Sequence, residues 1–151
     1  VSELPAQLTL SVANGPGDLA AAMDTAEGFL AAWRIDPADG AQVMIILDEI
    51  ASNIIKAAWP QGGEHHFTVD MQLDGAVEPV LTLLTIDDGM PFDPTQVAPP
   101  DLGLGLDQRE LGGLGVLMVA KMSDSMTYSH MGGCNRLQIT KRLRRLPLPL
   151  G

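Results

Sequence analysis

Three groups of residues carry chemistry by type and spacing. Glu49 and Asn53 stand four residues apart in LDEIASNIIKAAW, about one helical turn, so a helix puts both side chains on one face. Val43, Ile46, Ile50 and Ile54 form an apolar stripe beside them. A carboxylate and an amide at the edge of such a stripe need partners, but taken alone the pair is better accounted for by an amphipathic helix with a polar edge than by a site. The second group is Asp87-Asp88-Gly89-Met90-Pro91-Phe92-Asp93-Pro94, directly after the apolar run Val80 to Ile86. A carboxylate at a strand end can accept a hydrogen bond from the amino group of a bound base, with Gly89 allowing close backbone approach. An ordinary Asp-Gly turn fits equally. The third is Gly112-Gly113-Leu114-Gly115 at the start of an apolar segment. Backbone N–H groups at a helix N-terminus bind phosphate oxygens, and glycine removes obstruction. The spacing does not fit a P-loop.

The elements that must hold these groups follow from periodicity. Residues 7–12 alternate as a half-buried strand that Asn14-Gly15-Pro16-Gly17 ends. Leu19, Met23, Ala26, Leu30 and Trp33 give a helix over 18–34. Asp36-Pro37-Ala38-Asp39 starts a second helix, with Asp36 as cap, Pro37 at the first helical position and Asp39 as a favourable charge in the first turn. It runs to about Trp59, before Pro60 and Gly62-Gly63. Phe67, Val69, Met71 and Leu73 alternate as a strand, and Val80 to Ile86 reads as an interior strand covered on both faces. Residues 87–111 read as a loop of lid length. A short helix over 114–123 precedes a hairpin of 126–130 and 136–143 around Gly132-Gly133. The expected architecture is an α/β two-layer sandwich, a mixed, mostly antiparallel sheet under helices on one face. Residues 1–151 are expected to form a single domain.

Composition narrows the function. The net charge is -10, and it is uneven: residues 1–108 hold 17 acidic and two basic side chains, residues 109–151 two acidic and seven basic. That balance argues against direct nucleic-acid binding. A polyphosphate here needs backbone dipoles, a metal ion and the few available cations, of which Lys56 and Arg109 are the plausible ones. Lys141, Arg142, Arg144 and Arg145 read as a solvated strand end and a frayed tail. No run of 18 apolar residues spans a membrane, and the N-terminus does not read as a signal peptide. The single cysteine, Cys134, cannot form an internal disulfide, so a cytoplasmic location is the expectation. His65, His66 and His130 show no ligand spacing, and Trp33 and Trp59 read as packing residues.

The order helix Glu/Asn, strand-end Asp-x-Gly, lid-length loop, glycine-opened helix resembles the GHKL, or histidine-kinase-like, ATPase superfamily. Within it the chain is most similar to the small anti-sigma-factor serine/threonine kinases, from about Leu8 to Leu143. LDEIASN, TIDDGMPFDP, RELGGLGVLMVAKMSDSMTY and GGCNRLQITKRL carry the likeness. The resemblance implies a Bergerat-type ATP-binding fold and a protein serine/threonine kinase using ATP and Mg²⁺. It gives Glu49 the role of general base and Asn53 that of Mg²⁺ ligand. Asp87 accepts the adenine amino group, Gly89 and Pro91 lie beside it, and Gly112, Gly113, Leu114 and Gly115 form the phosphate loop. Asn135 stands where many relatives have a threonine near the adenine. Ala57-Ala58-Trp59 replaces the His-Ala/Gly-Tyr that often follows the helix motif, and Pro91 replaces a glycine. The implied partners are a STAS-type anti-anti-sigma factor, as phosphoacceptor, and a sigma factor, with a homodimer also open. The alternative is a nucleotide-dependent partner-binding module that transfers nothing.

Overall fold

A computed structural model of the chain describes residues 6–96 and 113–149. In chain order these form β1 (Gln7–Ala13), α1 (Asp18–Ala32), α2 (Pro37–Ala57), β2 (His66–Asp74), β3 (Val80–Asp87), a 3₁₀ turn (Pro94–Gln96), α3 (Gly113–Met122), β4 (Ser125–Met131) and β5 (Cys134–Arg142). The elements expected from periodicity are all present, with ends shifted by one or two residues.

The five strands form one sheet in the order β1-β2-β3-β5-β4. The expected mixed sheet is antiparallel at all four described pairings. β3 and β4, joined through α3, run in the same direction, but β5 inserts between them and the parallel pair never forms. The register sets Asp87 of β3 directly opposite Asn135 of β5.

Period-two alternation decides which face is buried. Phe67, Val69, Met71, Leu73, Leu81, Leu83 and Ile139 point into the core, where they meet Val43, Ile46, Leu47 and Ile50 of α2, Ala26 and Leu30 of α1, and Val119 of α3. β3 is not covered on both faces: Leu84 and Ile86 remain half-exposed on the side without helices. Their continuous apolar run imitates the pattern of a strand buried on two sides.

α2 begins as its sequence dictates. Asp36 Oδ1 accepts from the Ala38 N–H at 2.8 Å, and Pro37 occupies the first helical position. Asp39 does more than favour the helix dipole. It accepts two hydrogen bonds from the Arg144 guanidinium, 3.1 Å from Nε and 3.0 Å from Nη2, and a third from the Arg144 backbone N–H at 2.8 Å. The residues after β5 are therefore not a frayed tail. Asp36 N–H donates to Arg144 O at 2.8 Å and Leu146 N–H to Arg34 O at 2.7 Å. Arg145 donates to Trp33 O at 2.8 Å and lies over the Trp33 ring. Lys141 is buried, its Nζ donating to Met122 O at the last residue of α3. A cation on that carbonyl satisfies an orphan acceptor and complements the negative end of the helix dipole.

The side-chain hydrogen bonds from Arg144, ahead of the opposing effect of burial, hold the Asp39 carboxyl below its ordinary value of 3.8. A lowered carboxyl stabilises the fold above its unfolded value and loses that contribution as the pH falls through its folded one. Asp39→Asn is therefore expected to lower the melting temperature at pH 7. It should also flatten the fall in stability below about pH 4, as read by thermal melts from pH 7 to pH 2.

Candidate functional site

The C-terminal half of α2, the end of β3, α3 and the β4–β5 pair line an apolar cavity that opens to solvent. Ile50, Ile54, Val119, Met126 and Leu137 supply apolar wall, while Asn53, Thr85, Asp87, Tyr128 and Asn135 bring polar groups.

Asp87 anchors the site. As the last residue of β3 it faces inward and is 7% exposed. Its Oδ1 accepts from the Gly89 N–H at 3.0 Å and from Asn135 Nδ2 at 2.9 Å. Among the described residues nothing donates to Oδ2, which leaves one acceptor of a buried carboxylate for a donor in the cavity. The strand-end geometry suits an amino group on a planar base.

The chain after Asp87 is pinned to the end of α2. Met90 N–H donates to Ala58 O at 2.7 Å. Gly89 passes so close that a Cβ on it lies 2.4 Å from Ala58 Cβ and 2.5 Å from Ala58 O. Next to this contact the Trp59 indole donates to Asp88 Oδ1 at 3.0 Å and stacks on His65, ring centroids 4.6 Å apart. Trp59 is thus more than packing: it ties the residue after Asp87 to the α2 exit.

Asn53 lies on α2, 8% exposed, and lines the same cavity. Among the described residues its side-chain amide has no hydrogen-bond partner. A buried polar group left unpaired costs about 1–3 kcal/mol, so a ligand that coordinates this amide oxygen recovers that cost. An amide oxygen is a fitting ligand for a hard cation such as Mg²⁺, which makes the residues present compatible with that ion. One turn earlier, Glu49 reaches the start of α3: a Cβ on Gly115 falls 1.8 Å from Glu49 Oε1. Glycine at 115 is what allows the carboxylate and the first turn of α3 to share that space.

Of the sequence-predicted site residues, Asn53, Asp87 and Asn135 line the cavity, while Gly89 lies against Ala58, a lining residue, and Glu49 against Gly115 at the start of α3. Gly113 opens α3. Lys56 is exposed in the last turn of α2, Pro91 is exposed beside Phe92, and neither lines the cavity. Arg109, Gly112, the side chain of Leu114 and residues 97–111 of the expected lid-length loop lie outside the described residues. Ala57 lines the wall and offers no polar side-chain atom.

Two polar lining residues, Thr85 and Tyr128, lie within the quoted motifs but are given no site role by the sequence reading. Thr85 is 2% exposed, and no hydrogen bond of its hydroxyl appears among the described residues. Its position two residues before Asp87 on an alternating strand was the available signal. Tyr128 donates its hydroxyl to Asn135 Oδ1. Burial foremost raises the Tyr128 phenol above its ordinary value, with Asp93 and Asp87 adding to the rise, so it stays a donor at neutral pH.

Residues 12–141 match the family model of the histidine kinase-like ATPase domain. Over 93 residues the chain is 30% identical to the serine/threonine-protein kinase BtrW of Bordetella bronchiseptica, a match covering 62% of this chain and 63% of that protein. The match therefore spans less than two thirds of that relative. The fold superposes on the RsbU and RsbW domains of a Mycobacterium tuberculosis protein with a TM-score of 0.65, at 15% identity over 96% of this chain and 34% of the other. It superposes on the SiaB–SiaC complex of Pseudomonas aeruginosa with a TM-score of 0.54, at 14% identity over 89% of each chain. At these identities the superpositions establish the fold.

The Gly89–Ala58 contact yields a signed test. Gly89→Ala drives a methyl into the backbone carbonyl of Ala58 and is expected to cost about 1–3 kcal/mol in urea unfolding. Gly28→Ala, within α1 where a Cβ meets nothing within 4 Å, is expected to stabilise by about 0.5–1 kcal/mol.

Proposed function

The chain belongs to the histidine kinase-like ATPase domain family, and on that premise we propose that it binds Mg²⁺–ATP in the cavity beside Asp87. It transfers the terminal phosphoryl group to a serine or threonine of a STAS-type anti-anti-sigma protein, and so controls the availability of a sigma factor, its other partner. The observation that carries this reading is a pair of buried polar side chains, Asp87 and Asn53, which line one apolar cavity and retain unused hydrogen-bonding capacity among the described residues.

Each residue has a task that its position suits. Asp87 Oδ2 accepts from the exocyclic amino group of the base. Ile54, Met90, Phe92 and Leu137 cover the base and exclude water. Asn53 would hold Mg²⁺, which supplies charge neutralisation at the phosphate oxygens when bound. No lysine or arginine is among the cavity's described lining residues, so the backbone amides at the start of α3 take a large share of the phosphate charge. Glu49, one turn from Asn53 and against Gly115, accepts the proton of the incoming hydroxyl.

Incubation with terminally labelled ATP, Mg²⁺ and a purified STAS-domain protein tests this directly. Wild-type protein is expected to label the acceptor. Glu49→Gln is expected to lower the transfer rate by about 10²-fold or more, the usual contribution of a positioned base, with ATP affinity little changed. Equal transfer by Glu49→Gln contradicts the base role. ATP binding without transfer by the wild type supports the partner-binding module instead, a reading that the featureless Ala57 wall favours.

A further inference from the structure

Asn135 touches the site from β5, directly across from Asp87. It is 6% exposed, and each of its polar positions is occupied from within the chain. Nδ2 donates to Asp87 Oδ1 at 2.9 Å, to Met90 O at 3.0 Å and to Gly89 O at 3.3 Å. Oδ1 accepts from the Phe92 N–H at 3.2 Å and from the Tyr128 hydroxyl. The amide's orientation is fixed by these partners: Phe92 N–H can only donate, and the two carbonyls can only accept. An amide has two donor hydrogens and one acceptor oxygen with two lone pairs, and here nothing is left for a ligand.

The consequence falls on Asp87. Two donors fasten its Oδ1, so the carboxylate cannot rotate to present either oxygen at will. The same amide grips the backbone at residues 89, 90 and 92, the stretch that walls the cavity beside that carboxylate. We infer that Asn135 is a positioning residue for base selection, holding Asp87 so that Oδ2 alone faces the cavity and favours a purine with a 6-amino group over one without it. A residue that contacted the nucleotide itself would have to surrender one of its internal bonds. This inference rests on the nucleotide reading proposed above and adds the source of its base preference.

The test compares dissociation constants for ATP and for purine riboside 5′-triphosphate, which carries hydrogen at position 6, by calorimetry in Mg²⁺ with wild-type, Asn135→Ala, Asn135→Thr and Tyr128→Phe proteins. The wild type is expected to prefer ATP by about tenfold or more, the value of one hydrogen bond to a charged group. In both Asn135 variants that ratio is expected to collapse towards one, because ATP loses affinity while the 6-hydrogen analogue barely changes. Tyr128→Phe leaves the amide in place and removes one of its donors, so a smaller fall in the ratio is expected. It also carries the test should the Asn135 variants fail to fold. A merely structural role weakens both nucleotides equally and leaves the ratio at its wild-type value, which overturns the inference while the nucleotide reading stands. A wild type that binds neither nucleotide overturns both.

Discussion

A carboxylate 7% exposed at the end of a strand is tolerated only where donors meet it, and the ordering of this sheet supplies them. The Asp87 side chain needs Asn135 beside it, which requires β5 to lie next to β3. That in turn sends the connection from β3 through α3 to the outer strand β4 and removes the parallel pair that a simple strand–helix–strand order suggests. The same amide that meets Asp87 also ties residues 89, 90 and 92, so the turn that walls the cavity is held from the strand it faces. From the other side Ala58 holds it, through one backbone hydrogen bond and a contact that only glycine at 89 permits.

α2 couples the remaining parts. Its buried face builds the core with Val43, Ile46, Leu47 and Ile50. Its C-terminal half carries Asn53 into the cavity and Glu49 against Gly115 of α3, and its C-terminal end closes on Gly89. Its first turn is fastened by Asp36 and Asp39 to the segment after β5. A helix anchored at both ends presents Glu49 and Asn53 at a fixed height against α3, the kind of rigidity that phosphoryl transfer, a reaction of positioning and charge, demands. The charge of the chain fits the same logic. With 17 acidic and two basic residues in the first 108, the proposed polyphosphate ligand has little side-chain cation to meet, and on that reading helix amides and a hard cation would take that burden.

Elements with a strong period were legible in the sequence. Alternation in Phe67–Leu73 and the cap Asp36-Pro37 gave β2 and α2 nearly to the residue, and the i, i+4 pair Glu49 and Asn53 placed both side chains on one face. The face of β3 was misread because Leu84 and Ile86 are as apolar on the open side as Leu81 and Leu83 on the closed one. The C-terminal basic residues were misread because their partners lie over a hundred positions away: Arg144 meets Asp39, and Arg145 meets Trp33. Lys141 was misread because a lysine on the inward face of a strand gives no local sign that a helix end waits for it. Asn135 was read as near the base by resemblance; that its amide is consumed by five internal partners depends on a cross-strand register that no local pattern encodes.

The central claim is that Asp87 and Asn53 line a site for a Mg²⁺-bound adenine nucleotide. The most direct measurement is a calorimetric titration with ATP, with and without Mg²⁺, of the wild type and of Asp87→Asn. Saturable binding that strengthens with Mg²⁺ and weakens by about tenfold or more in Asp87→Asn, the loss of a hydrogen bond to a charged acceptor, is the result predicted. No heat of binding from the wild type at millimolar ATP, or equal affinity in the two proteins, contradicts it.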